Sequence, residues 1–560
     1  MLNRRWMTAW RLLKSGQHKE LLSRIYKFAV TKSGDKNPIE YSNWRNKWVE
    51  LSEENRKDIV KQIEVLSQQP SFTLILDATG WDAVSLFATI DSVAEQLYPN
   101  WILHISNINT SDSDLSKKIQ TISDSRIITS VVSDSDLTDW IVEIKPDTQL
   151  HETALFATAV SINKKPEIVF LYSDHDHLDS DGNFCDPYMK PDWNADLFAA
   201  TNYLTPFIAF KRELWFNYRN DKSDQHLSLL KITETLSPNK IFHIPHVLAT
   251  VRISGDGTHL QPTYKRVLHA LPDPAPTVSV LIPTKDKGHM LERCLRSLKE
   301  KTDYPNFEIV IIDHESTEKY ARKIISKAAE KTDTKVIEYS GIFNFSAMIN
   351  RAAKSASGKV LLLLNNDTEV VNSNWLKEIV SQVSRPEVGV VGALLTFNDG
   401  TIQHAGVNPS SEGFMIHGHK HWEGNSLGYF GRLRVAHEVA AVTGACLAIE
   451  TKDWEALEGL DEENLGVAYN DIDLCLKARS AGLKIIFTPH AKLIHQESVT
   501  RGFDDTSEKI LRLSTELSVM KSRWGQQLEA DPAYNPNLSN EKISFKFLSD
   551  PPRTKPLWDL

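Results

Sequence analysis

The chain of 560 residues has only four cysteines, Cys185, Cys294, Cys446 and Cys475, and no two stand in CxxC spacing. Neither a zinc site nor a disulfide framework is indicated, and a reducing compartment fits best. A basic excess is also missing: 64 Lys and Arg against 73 Asp and Glu give a net charge of -9. A general nucleic-acid binder would carry a basic footprint, so no nucleic-acid partner is expected. No run reaches the roughly 18 to 20 apolar residues of a membrane-spanning helix. Arg4, Arg5, Arg11 and Lys14 interrupt the start, which therefore does not read as a secretory signal. Glycine and proline, 24 of each, are not in excess, and 41% of the residues are hydrophobic. The chain can bury packed cores, and its length predicts two to four domains in a cytoplasmic protein.

What is present begins with a basic amphipathic stretch. Trp6, Trp10, Leu12, Leu13, Leu21, Leu22 and Ile25 alternate with Arg4, Arg5, Arg11, Lys14, Lys19, Arg24 and Lys27. A helix of this kind can lie on an anionic membrane surface or pack on the next domain. Beyond it, alternating strand and helix signals occur twice. FTLIL (72–76) and a helix with Leu86, Ile90 and Val93 are matched by TVSVLI (277–282) and a helix with Met290, Leu291, Cys294, Leu295 and Leu298. YPNW followed by ILHIS (98–106) answers to YPNF followed by EIVII (304–312), so one α/β unit looks duplicated. LPDPAPT (271–277) reads as the linker between the copies.

Three stretches of the second copy bear chemistry. In GKVLLLLNNDTEV (358–370), a buried strand delivers Asn365, Asn366 and Asp367 at its carboxyl end, the edge where open α/β sheets bind ligands. A carboxylate there can hold Mg²⁺ or Mn²⁺, although an Asn/Asp turn accounts for the same residues. In AYNDIDLCLKARSAG (468–482), Asn470 can cap a helix with Asp471 and Asp473 in its first turn and Gly482 as its stop. Such a carboxylate can serve as a general base, or merely match the helix dipole. In LIHQESVTRG (493–502), His495 leaves a strand where it can complete a metal shell opposite Asp367.

Taken in order, PTKD (283–286), IDHES (312–316), FNFSAMINRAAKSASG (343–358), LLLNNDTEV, TIQHAG (401–406), AVTGACLAI (441–449), NDIDLCLK and HQESVTRG resemble the family 2 glycosyltransferases. The resemblance is strongest to the branch of bacterial O-antigen and surface-polysaccharide assembly, including rhamnosyltransferase-like proteins. It covers about 250 residues and implies a GT-A fold, a nucleotide-diphospho-sugar transferase variant of the Rossmann-like α/β class. By that resemblance Pro283, Thr284, Asp286, Asp313, Asn350, Asn365 and Asn366 bind the donor. Asp367 and His495 bind a divalent cation (Mg or Mn), with Asn365 and Asn366 standing where many relatives have aspartate. Asp471 is the catalytic base, with Asn470 in place of the usual glutamate, and Thr443, Gly444 and Ala445 face the donor sugar and acceptor. The implied partners are a nucleotide-sugar donor and a lipid-linked or oligosaccharide acceptor, with peripheral contact at the cytoplasmic face of the inner membrane.

The first copy departs from the pattern. LDATG (76–80) lacks the proline of the usual turn, ISNINTS (105–111) lacks the nucleotide aspartate, and DQHLSLLK (224–231) stands where the base helix should be. IVFLYSDHD (168–176) nonetheless resembles a metal motif, making Asp174 and Asp176 a candidate second site. The expected layout is a helical segment at 1–66, a degenerate GT-A-like domain at 70–268, a catalytic one at 275–520 and a tail at 521–560. The expected activity is inverting, metal-dependent transfer of a sugar onto a surface glycan. Three alternatives remain open: both copies active, a non-catalytic assembly scaffold, or a nucleotidyltransferase, which would need a glycine- and basic-rich loop where PTKDKGHM stands.

Overall fold

The computed structural model describes residues 39–108, 124–219, 224–253, 263–410, 415–496, 506–541 and 543–559. The basic stretch at 4–27 and the end of the HQESVTRG motif lie outside them. Among the described residues no helix is long and apolar enough to cross a membrane.

Each half is built on one mixed sheet. The first half contributes β1 (Phe72–Asp77), β2 (Trp101–Ser106), β3 (Ile127–Ile128), β4 (Trp140–Ile144), β5 (Thr148–Leu150), β6 (Phe170–Leu178), β7 (Phe184–Tyr188), β8 (Ile208–Lys211) and β9 (Ile241–Arg252). The second contributes β10 (Val278–Thr284), β11 (Phe307–Asp313), β12 (Thr334–Glu338), β13 (Val360–Leu364), β14 (Thr368–Val370), β15 (Val388–Thr396), β16 (Cys446–Glu450) and β17 (Lys484–His495). The lateral order is β3-β2-β1-β4-β8-β6-β9-β5 in one sheet and β12-β11-β10-β13-β16-β15-β17-β14 in the other. These are the same permutation, strand for strand, and the duplication expected from the sequence is visible in the topology.

The reason for this layering is in the strands. Val278, Val280 and Ile282 point to one face of β10 and pack on Leu291, Cys294 and Leu298, while Leu281 joins Met348 and Ile349 on the other face. A strand buried on both faces needs an unbroken apolar run, which VSVLI supplies. In the first half Leu74 and Leu76 pack with Leu86 and Ile90 in the same way.

The shared order corrects the alignment of the two metal-like motifs. The counterpart of β13, which ends in Asn365-Asn366-Asp367, is β4, and it ends in Lys145-Pro146-Asp147. Both motifs run directly into the matching short strands, β14 and β5. Asp174 and Asp176 instead lie within β6, a central strand that continues through them to Leu178. They are not at a strand end, and their partners below show why the strand continues.

Described residues of the 521–560 tail are packed against the first half. The helix Ser507–Glu529 runs through residue 521, and beyond it Tyr534, Leu538 and Phe545 pack with Trp44, Val49, Met189 and Val247 of the first half. Leu557 enters the first half's own core. The five late prolines punctuate a segment fastened by buried side chains.

Candidate active site

A cleft of about 760 Å³ opens at the carboxyl edge of the second sheet, within the range of small-molecule sites. Pro283, Thr284, Asn365, Asn366, Asp367, Thr443, Gly444, Ala445, Asn470, Asp471 and His495 all line it. Residues far apart in the chain converge because the parallel β10 and β13 end, and the antiparallel β16 begins, at one edge. β14 and β17 pair directly, bringing Thr368 opposite His495.

Asp367 and His495 face each other, Oδ1 to Nε2, at 3.2 Å. The His495 ring is set from behind by Gln403, whose Oε1 lies 2.7 Å from Nδ1. An amide oxygen only accepts, so Nδ1 carries the proton and Nε2 presents its lone pair to the cleft. Asp367 Oδ1 is buried and accepts no hydrogen bond from the described residues. Two lone pairs pointed at one space, one oriented by a buried amide, fit a divalent cation. Among the described residues no cluster of three or more His, Cys, Asp or Glu forms. A cation here would therefore draw its remaining ligands from water or phosphate oxygens, the usual habit of Mg²⁺. Asn366 is tied to Thr284 Oγ1 at 2.8 Å, and Asn365 Nδ2 lies 3.3 Å from His495 Nε2.

In the same cleft, Asp471 lies in the first turn of the helix Asn470–Ser480. Its Oδ2 accepts the Gly444 N–H at 2.8 Å, and its Oδ1 accepts the Ile472 N–H at 2.9 Å. Burial pushes the carboxyl above its ordinary value, against the lowering effect of these donors. A fixed carboxylate with raised basicity is suited to taking a proton from a hydroxyl. Asp473, two residues on, is fully buried and turned away from the cleft. Its Oδ1 accepts from Arg523 Nη1 at 2.6 Å and Trp524 Nε1 at 2.9 Å. The sequence expectation of an Asn470 cap does not hold, because the cap position is Tyr469 in the left-handed region (φ 61°) and Asn470 is the first helical residue. Gly482 does terminate the helix, at φ 82°.

Three donor-binding expectations fall outside the cleft lining. Asp286 Oδ1 accepts the backbone N–H groups of Thr317 and Glu318 at 2.6 and 2.8 Å, closing the turn before the helix Lys319–Ala329. Asp313 Oδ1 accepts the Ser316 N–H at 3.1 Å. Asn350 clasps the backbone of Leu460 through both its amide atoms. Lys285, His314, Lys509 and Arg512 line the cleft without having been singled out. Gln403 stood inside the TIQHAG motif, but only the pairing of His495 with its neighbour reveals its part.

The supposed second site is closed. Asp174 is wholly buried and accepts from Lys190 N (2.8 Å), His243 Nε2 (2.7 Å), Asn535 Nδ2 (2.9 Å) and Asn537 Nδ2 (3.3 Å). Asp176, equally buried, accepts from Tyr41 OH (2.6 Å), Arg45 Nε (2.8 Å) and Thr250 Oγ1 (2.6 Å). These carboxylates fasten residues 41–45 and 535–537 to the first sheet. At the true counterpart of the cleft, Asp147 remains, but β5 pairs Thr148 with Val251 where β14 pairs Thr368 with His495. The helix Gln225–Thr233 is capped by Asp224 and opens with Gln225 and His226, without a carboxylate in its first turn.

The family model of Glycosyl transferase family 2 matches residues 279–449. The chain is 33% identical over 541 residues to the Sinorhizobium fredii protein y4gI and 30% identical over 528 residues to the O-antigen biosynthesis protein RfbC of Myxococcus xanthus. These matches take in 87% and 85% of this chain, which spans 59% and 41% of the two relatives. A solved mannosyltransferase of Pyrobaculum calidifontis, in complex with GDP-Man and Mn²⁺, overlays 47% of this chain and 67% of its own with a TM-score of 0.34 at 18% identity.

Proposed function

From the premise that residues 279–449 form a glycosyl transferase family 2 domain, we propose that the second half transfers a sugar, with inversion, from a nucleotide-sugar donor to a lipid-linked or growing surface glycan. The observation that carries this reading is the pair of opposed groups in one cleft: the cation-ready Asp367 and His495, and the oriented Asp471. The relative named for O-antigen biosynthesis supports a surface glycan as the acceptor class.

A divalent cation, Mg²⁺ or Mn²⁺, bound by Asp367 and His495 would offset the charge that builds on the leaving diphosphate. Asn365 and Asn366 shape the same edge, Asn365 beside His495 and Asn366 holding Thr284 in place. Asp471 takes the proton of the acceptor hydroxyl, and Gly444 N–H keeps the carboxylate turned into the cleft as it does so. Deprotonated on the face opposite the diphosphate, the hydroxyl attacks the anomeric carbon in one displacement, which inverts it. Thr443, Gly444 and Ala445 line the cleft, and in this reading they face the donor sugar and acceptor.

The first half serves as a non-catalytic scaffold in this reading. Val251 in place of the histidine and the missing first-turn carboxylate favour that over a second active centre. The direct test is nucleotide release from a panel of UDP-, dTDP- and GDP-sugars with acceptor glycolipid, with Mn²⁺, Mg²⁺ or EDTA. Turnover of one donor is expected, abolished by EDTA and by Asp367→Ala but left within about twofold by Asp147→Ala. Undiminished turnover in Asp367→Ala would overturn the metal assignment, and equal losses from both substitutions would restore a second active centre.

A further inference from the structure

The helix Ser507–Glu529 follows the segment matched by the family model and carries a buried acid that the mechanism above does not use. Glu516 is 3% exposed, and its Oε1 accepts the backbone N–H of Val467 at 2.8 Å and of Ala468 at 3.3 Å. Those two residues line the cleft immediately before Tyr469, Asn470 and Asp471. Its other oxygen lies 3.5 Å from Nε of Arg512, one turn earlier on the same helix and also in the cleft lining. We propose that Glu516 is a positioning residue for Asp471, setting the backbone of 467–470 and through it the direction of the base.

Tyr469 stands at φ 61°, a conformation unfavourable for a bulky residue that persists only where its surroundings over-determine it. Those surroundings are visible. On one side Ser346 Oγ donates to Leu465 O at 2.6 Å, and its N–H donates to Gly466 O. On the other, Asp473 N–H donates to Tyr469 O at 2.9 Å. Between them Glu516 holds the N–H groups of 467 and 468. Without it these two donors lose their acceptor, and the left-handed turn can relax. The same helix grips Asp473 through Arg523 and Trp524, so Asp471 lies between two anchors on one rigid element. A shift of about 1 Å at the base is enough to cost on the order of a hundredfold in rate.

This inference rests on the transferase reading for its kinetic arm, and the experiment separates the two. Glu516→Ala, Glu516→Gln, Asp471→Asn and the double substitution Glu516→Ala with Asp471→Asn are assayed for turnover in the full chain. In parallel, amide hydrogen exchange is followed at 464–472. Glu516→Ala is expected to lower kcat by on the order of a hundredfold, with donor KM within about threefold. Glu516→Gln, which keeps an acceptor oxygen, restores most of the rate. The double variant is no slower than Asp471→Asn alone, because both act through one group. Exchange at Val467 and Ala468 accelerates in the alanine variant and not in the glutamine one. Wild-type kcat in Glu516→Ala, an additive loss in the double variant, or unchanged exchange overturns the proposal. If Glu516→Ala fails to fold, a rate loss in Glu516→Gln equal to that of Asp471→Asn overturns it as well. Wild-type protein inert towards every donor would count against the transferase reading, while the exchange data would still decide whether Glu516 holds the turn.

Discussion

Two copies of one strand order stand side by side in this chain, and they spend their buried acids differently. The second copy keeps a buried oxygen of Asp367 unbonded among the described residues and holds Asp471 above its ordinary pKa by burial. The first copy satisfies every oxygen of Asp174 and Asp176 with donors from its own strands and from both ends of the described chain. A polar group left wanting in a cleft is a cost to folding kept for chemistry, while a polar group fully paired in a core is a fastening. Carboxylates in a repeat thus announce their role less by their sequence motif than by what remains unpaired around them.

The largest effect that separates the copies is on rate. Asp471→Asn should lower kcat by roughly 100- to 10,000-fold, the usual worth of a general base. Gln225→Ala, at the start of the matching helix, should leave it within about twofold. Asp471 gains protons more readily folded than unfolded, so its ionised form weighs against folding at neutral pH. The melting temperature of Asp471→Asn should accordingly hold or rise, and a fall would mean the side chain is chiefly structural.

Next comes stability. Asp176→Asn leaves the buried Arg45 with only the half-exposed Glu50 as counter-charge and should cost about 1 to 3 kcal/mol in urea unfolding. Donor KM in the surviving folded fraction should not move. A loss of donor affinity without a loss of stability would return Asp176 to the ligand-binding groups.

The smallest effect is a pH slope. Burial lowers the His243 pKa, but Asp174 and Asp192 more than offset this and hold it at about 9 against an ordinary 6.5. A raised folded-state value means its stabilisation is complete below about 6.5 and disappears as pH rises through about 9. Lys190, whose pKa burial lowers from 10.5 to about 7, tilts the curve the opposite way over much of the same range. The difference between proteins therefore carries the test: His243→Gln should turn the slope of the thermal midpoint between about pH 6.5 and 9.5 towards rising stability. An unchanged slope in the variant would assign no part of it to His243.

Much of the second half was legible because its information is local. VSVLI and VLLLL are buried strands by composition alone, and residues placed at their carboxyl ends meet at one edge whatever the loops do. The cleft-facing sides of Asp367, Asp471 and His495 followed from that. Asp286, Asp313 and Asn350 bear the right side chains in the right motifs, yet turn to backbone amides nearby, a choice set by loop geometry that spacing does not encode. The SDHD stretch misled for a physical reason. A run of Asp and His predicts a turn unless partners are supplied, and the partners here, Asn535 and Asn537, lie 361 and 363 positions away. Lys145-Pro146-Asp147 escaped notice because lysine and proline disguise the register that the strand order restores. Glu516 had no sequence signal at all, since an acid on an amphipathic helix ordinarily faces water.

The fastening of Asp174 by Asn535 and Asn537 also has a meaning in time. During synthesis the first sheet emerges from the ribosome hundreds of residues before the side chains that complete its centre. Until they arrive, a buried carboxylate waits with donors missing, and long-range closure of this kind is slow. The helix that holds the base helix is threaded between the two events, with its far end tied down last. A chain interrupted before residue 537 would carry the motifs of a transferase while the first half lacked donors to its buried Asp174.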